Sequence, residues 1–144
     1  VAVIAHSFGG SAILQAAVNG LPIRILINIA SPTIGDEIIN TYLKAINGSR
    51  STGDYFREYV KRRSGKSFDE FTSLHFIRQL KSRLNLLLVH DEEDDEVTLE
   101  HALALKKLYP GAELLQTRGL GHTRILKDDA VINKSVTFIA EKRL

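Results

Sequence analysis

The sequence predicts an α/β fold in which four parallel strands are flanked by helices and interrupted by one long helical insertion. Three observations lead there. Four short apolar runs recur along the 144 residues, most of them followed by helix-periodic sequence. Runs such as ILINIA and LLLVH lack the polar–apolar alternation of a half-exposed sheet, as expected for parallel strands covered on both faces. Between the second and third runs, residues 33–80 hold seven of the chain's ten aromatic side chains, too long and too aromatic for a simple crossover.

The first strand is Val1–His6, and it runs almost without a loop into Ser7 and a helix over Ser11–Asn19 that stops at Gly20. Gly10, Ala12 and Ala16 are small enough to let that helix lie close to the sheet. Arg24–Ala30 is the second strand. In the insertion three helical stretches are separated by Asn47-Gly48-Ser49 and Ser64-Gly65-Lys66. The first groups Ile38, Ile39, Tyr42, Leu43 and Ile46 on one face, and the second groups Tyr55, Phe56, Tyr59 and Val60. A lid over a pocket fits this composition; an accessory helical layer packed on itself is the plainer alternative. Leu84–His90 is the third strand. Thr98–Tyr109 follows as a helix with a capping threonine, cations in its last turn and Pro110-Gly111 beyond it. Glu113–Thr117 is the fourth strand. Asp128–Lys142 closes the chain as a helix with Ile132, Val136 and Ile139 on one face. The core is thus 1–32 with 81–144, and the insertion is 33–80.

Bulk composition narrows the functional classes. An apolar content of 44% supports a real core, and a formal charge of +2 predicts no special attraction to nucleic acid or an anionic membrane. No run of 18 apolar residues occurs, so no membrane span is expected, and the absence of cysteine removes disulfide and thiolate chemistry. The chain opens at Val1 already inside a strand and reads as the back part of a longer protein. Compartment therefore stays open, with the cytoplasm as default, and so does oligomeric state.

The sharpest local feature is Ala5-His6-Ser7-Phe8-Gly9, a serine between small residues on a strand-to-helix turn. A nucleophile held there needs positive-φ backbone geometry and small neighbours. The following helix N-terminus offers free N–H groups to a developing oxyanion, and the N–H of Phe8 is the natural first donor. A serine that merely caps the helix is the bland alternative.

AHSFGG resembles the G-H-S-x-G-G turn of the α/β-hydrolases, the family of esterases, lipases and thioesterases, with Ala5 in place of the first glycine. The chain looks like the C-terminal half of that fold. The resemblance implies a base and an orienting acid in the order Ser, Asp, His. LLLVHDEEDDEV is similar to the family's apolar strand followed by H-G-x-x-D-x-x-V, which implies Asp94 as the acid, with Asp91 in the glycine position and Asp91 and Asp95 as rivals. Arg118-Gly119-Leu120-Gly121-His122 is similar to the family's G-x-G-H ending and implies His122 as the base. His6 is expected to pack under the turn, and it and the lid aromatics Tyr42, Tyr55, Phe56 and Tyr59 are the candidates for contact with the substrate.

The implied activity is a serine hydrolase acting on a small-molecule carboxylic ester with a moderately apolar group, through an acyl-enzyme. No metal or organic cofactor is required. Thioesterase, amidase and cofactor-free haloperoxidase variants stay open, as does a non-catalytic ligand-binding protein on the same scaffold. The family's earlier strands and the loop giving the second oxyanion donor are not in this sequence. The 144-residue piece is therefore expected to be inactive or poorly folded alone. Three further features carry nothing. Ser64-Gly65-Lys66-Ser67 lacks the first glycine and the strand of a phosphate-binding loop. Arg57, Lys61, Arg62, Arg63 and Lys66 read as a solvated helix face rather than a nucleic-acid contact, and DEEDDE does not fit a calcium loop.

Overall fold

A computed structural model describes residues 1–143. The elements run β1 (Ala2–His6), α1 (Phe8–Val18), β2 (Ile25–Ile29), α2 (Gly35–Ala45), α3 (Arg50–Ser64), a 3-10 turn (Phe68–Phe71) and α4 (Ser73–Gln79). Then come β3 (Asn85–Asp91), α5 (Leu99–Leu108), β4 (Glu113–Thr117), α6 (Gly121–Arg124), a 3-10 turn (Ile125–Lys127) and α7 (Asp129–Lys142). The four strands are parallel and lie in the order β1-β2-β3-β4. Each strand pairs with the one before it in the chain, so the helical connections carry the backbone back across the sheet every time.

The unalternating strands are explained by burial on both faces. Ile25, Ile27 and Ile29 of β2 join Leu87 and Val89 of β3 in a cluster against Val131 and Phe138 of α7. The intervening Leu26, Leu86 and Leu88 face the other way, into a cluster with Leu14 of α1, Phe76 and Ile77 of α4 and Leu105 of α5. Fully burying a Leu or Ile side chain contributes on the order of 2 kcal/mol, so these two clusters dominate the stability of the sheet. Among the described residues β1 pairs only with β2, and its Ile4 is exposed.

Several elements differ from the expectations. Helix α1 begins at Phe8, three residues before the predicted start, because its first turn is where the chain leaves the Ser7 bend. Ala12 points to solvent; Gly10 is buried and makes the close approach. Thr98 stands at the N-cap of α5 but its hydroxyl caps nothing. Asp128 does cap α7, accepting from the Val131 N–H at 3.0 Å. The buried stripe of α7 is Val131, Ser135 and Phe138, with Ile139 beside it, whereas Ile132 and Val136 are exposed. Both stripes satisfy helical spacing, so periodicity alone could not choose between them. Ser135 is tolerated inside because its hydroxyl donates to the Val131 carbonyl at 2.7 Å.

The insertion folds as helices, as expected, but its parts have different surroundings. Phe76 and Ile77 of α4 sit in the main core, and Ser73 of α4 bonds Ser11 of α1 at 2.7 Å. Helices α2 and α3 stand off the sheet, and Tyr55, Phe56 and Tyr59 of α3 are all substantially exposed.

Gly10 allows the approach of α1 to β2. A β-carbon there would collide with the Asn28 amide and the Ser31 hydroxyl. Gly10→Ala is expected to destabilise the chain by about 1–3 kcal/mol, measured as a lower denaturant midpoint at unchanged m-value.

Candidate active site

Parallel register brings the carboxyl ends of the strands to one edge, with His6 opposite Ile29, Ile29 opposite Val89 and Asp91 opposite Thr117. The loops leaving β1, β3 and β4 therefore converge. Ser7 is the first residue past β1, Asp94 lies three past β3, and His122 sits in the first turn of α6 just after β4.

Ser7 has φ 53° and ψ −133°, the strained conformation expected of an exposed serine on a sharp turn. Its N–H donates to the Ile29 carbonyl at 2.9 Å, which fixes the bend to the neighbouring strand. The hydroxyl makes no capping bond to α1, so the capping alternative finds no support in the geometry. Ser7 Oγ lies 3.2 Å from His122 Nε2. On the other side of the imidazole, His122 Nδ1 lies 2.8 Å from Asp94 Oδ2. The ring thus spans a hydroxyl and a carboxylate. With the Nδ1 proton directed at Asp94, Nε2 is free to accept from Ser7.

The three carboxylates left open by the sequence are separated by their partners. Asp94 is buried, and its second oxygen accepts from the N–H groups of Glu96 and Val97 at 3.0 and 2.9 Å. Asp95 is exposed and lines the cleft. Asp91 is fully buried and makes no hydrogen bond to the imidazole. It accepts from the Thr117 hydroxyl at 2.7 Å, the Leu120 N–H at 3.1 Å and the Glu93 N–H at 3.0 Å. Burial pushes its carboxyl upward, but these bonds outweigh that and hold it at about 2. Asp91 therefore pins the end of β3 to the turn that carries His122, which accounts for an aspartate at the family's glycine position. Gly119 and Gly121 in that turn have φ 81° and 64°, values that residues with a β-carbon rarely adopt.

Three further side chains support the arrangement. His6 Nε2 donates to the His122 carbonyl at 2.8 Å, and the two rings lie 4.7 Å apart. His6 thus braces His122 and is not among the residues lining the cleft. His90 Nε2 donates to the Val97 carbonyl at 2.7 Å, closing the loop that presents Asp94. Ser31 donates its one hydroxyl proton to the Ser7 carbonyl at 2.7 Å and also contacts the Asn28 amide. With that proton committed, the Asn28 NH₂ belongs toward Ser31, which also gives a partner to an amide nitrogen otherwise buried without one. The sequence signal for this pair is an Asn and a Ser at the end of an otherwise apolar strand.

A cleft of about 900 Å³ opens beside Ser7 and His122. Its walls are mostly apolar and include Phe8, Pro32, Ile38, Leu43, Val97 and His101. Of the four aromatics expected around the substrate, Tyr42 and Phe56 line it; Tyr55 and Tyr59 do not and are exposed on α3. Among the described residues no helix is long and apolar enough to cross a membrane, and no cluster of three candidate metal-binding side chains occurs.

Fold, strand-end loops and the Ser–His–Asp series together define the class, the α/β-hydrolases. Residues 67–143, more than half of the chain, match the family described as TAP-like protein, and the chain belongs to that α/β-hydrolase family. No curated protein sequence matches it. Solved structures share the fold. An esterase from Pyrococcus furiosus is 16% identical with a TM-score of 0.67, over 99% of this chain and 53% of its own. The esterase domain of a Rhodothermus marinus protein is 22% identical with a TM-score of 0.61, over 97% of this chain and 58% of its own. A meta-cleavage product hydrolase is 20% identical with a TM-score of 0.65, over 98% and 65%. The chain spans between about half and two thirds of the length of these structures.

Asp91 sets an acid limit. Its folded value of about 2 lies below the ordinary carboxylate value, so its contribution is complete above about pH 4 and is lost as the pH falls toward 2. Unfolding midpoints of wild type and Asp91→Asn, measured across that window, should converge as the pH falls.

Proposed function

We propose that the chain supplies the reacting residues of a serine hydrolase that cleaves carboxylic esters. The observation that carries the reading is the unbroken hydrogen-bond series from Ser7 Oγ through the His122 imidazole to Asp94. Each member arrives from a different strand end, and neither Ser7 Oγ nor Asp94 Oδ2 has another hydrogen-bond partner among the described residues. In this reading His122 Nε2 takes the Ser7 proton as Oγ attacks the ester carbonyl carbon. Negative charge collects on the carbonyl oxygen, where the Phe8 N–H, free at the start of α1, is the first donor. Collapse breaks the bond to the alcohol, which leaves with the proton from His122. Water, deprotonated by the same nitrogen, then releases the acid and restores Ser7. Asp94 holds the imidazole tautomer and stabilises the imidazolium formed in each half.

Helices α2 and α3 act as a lid in this reading. Ile38, Tyr42, Leu43 and Phe56 supply an apolar wall for the acyl or alcohol group. The substrate is then a small molecule with a moderately apolar arm, and the chemistry calls for no cofactor. The strain at Ser7 has a function here, since it keeps Oγ clear of the helix backbone and directed at the base.

The test is hydrolysis of p-nitrophenyl esters by the full-length gene product. Ser7→Ala should lower kcat by about 10⁶-fold and Asp94→Asn by about 10⁴-fold. Turnover that survives Ser7→Ala would remove the serine mechanism, and saturable binding of the esters with no turnover would favour a ligand-binding protein.

A further inference from the structure

One buried polar side chain in the cleft wall is used by none of these steps. His101, on the first turn of α5, is 2% exposed and lines the cleft that contains Ser7 and His122. Its Nδ1 accepts two backbone donors, the Thr33 N–H at 2.8 Å and the Ile34 N–H at 3.0 Å. The Thr33 hydroxyl cannot be a third proton donor to that nitrogen, because it donates to the His101 carbonyl at 2.7 Å. An imidazole nitrogen that receives two N–H groups carries no proton of its own, so the ring is the neutral Nε2–H tautomer. Nε2 makes no hydrogen bond to any described residue, although the residue is almost wholly enclosed.

From this geometry we propose that His101 Nε2–H is a substrate-binding donor, and that the preferred substrates carry an acceptor oxygen on their apolar arm. The inference rests on the ester-hydrolase reading of the cleft and narrows its substrate class to esters whose arm bears an ether or keto oxygen.

The physical argument is one of balance. Fixing the tautomer by two backbone donors leaves a single Nε2–H on a buried side chain of a mostly apolar wall that includes Pro32, Ile38, Leu43 and Val97, the other unused polar residues of the lining, among them Thr52, Asp95 and Glu96, being exposed or half-buried. A purely hydrocarbon arm seated there strips that donor of water and returns nothing, whereas an oxygen at the right position replaces the water. Burial, with a further push from the neighbouring His90, lowers His101 to about 4, so the ring stays neutral and the tautomer fixed through the neutral range. The charged and titratable groups around it are His90, Glu100 and Asp94, and the backbone of Thr33 and Ile34 covers its Nδ1 side. A purely structural His101 would clamp residues 33 and 34 and leave substrate choice untouched.

The test uses the Ser7→Ala form of the full-length gene product, which binds without turning over. The probes are p-nitrophenyl octanoate and a series in which one chain methylene at a time is replaced by oxygen. One position in the series should bind about three- to tenfold tighter than the all-carbon ester. In a Ser7→Ala, His101→Asn protein the ratio should fall to about one, because Asn sets an amide oxygen near the Nδ1 position and removes the Nε2 donor. Long-range ¹H–¹⁵N spectra provide a second readout in the His101 protein. They should show a protonated Nε2 whose shift moves with the favoured ether ester and not with octanoate. A flat series, a preference that survives His101→Asn, or a proton on Nδ1 would overturn the inference. If the binding pattern holds but the Ser7 enzyme hydrolyses none of the esters, the hydrolase reading fails and this assignment stands.

Discussion

The parallel register of the four strands is the constraint on which the site depends. Parallel pairing puts every strand's carboxyl end on the same edge, so loops far apart in sequence must meet there. Ser7 and His122 are 115 residues apart yet their side chains are within hydrogen-bond distance. Nothing in the local sequence of either loop could produce that contact alone. It follows from buried β2 and β3, whose side chains pack into two clusters on opposite faces and so fix the position of the strands on either side. A slip of one residue would turn both faces inside out and part the loops.

Around that edge a set of buried polar groups converts a meeting of loops into a defined geometry. Asp91 ties β3 to the turn bearing His122, His90 closes the Asp94 loop, His6 holds the His122 backbone, and Ser31 holds the Ser7 carbonyl. Each is buried or half-buried, and each makes at least one hydrogen bond to the backbone of a loop at this edge. Groups of this kind cost stability if left unpaired, so they act only when the loops are correctly placed. Strain is concentrated here too. Ser7 and Ala30 both have positive φ, at the ends of adjacent strands, and the surrounding bonds hold them there.

The sequence showed the fold because its signals were strong and local: unbroken apolar strands, a serine on a loopless turn, and glycines before a histidine. The same locality explains the misses. α7 offered two apolar stripes of equal helical spacing, and only packing against β2 and β3 selects Val131 and Phe138. Helical spacing groups Tyr42, Tyr55, Phe56 and Tyr59 by face, yet of these four Tyr42 and Phe56 line the cleft, because which face meets it is decided by packing between helices. Asp94 was separable from Asp91 and Asp95 in register but not in chemistry. The structure distinguishes them by what each oxygen accepts. His101 had no sequence signal, because its significance comes from two backbone N–H groups 67 and 68 residues away.

The central claim is that Ser7 is activated by His122 at this shared edge. The direct measurement is treatment of the full-length gene product with a fluorophosphonate, with the adduct mapped by mass spectrometry beside a His122→Ala control. The account predicts a single stoichiometric adduct on Ser7 that the control fails to form. A folded protein left unlabelled at Ser7, or labelled equally in the control, would contradict it.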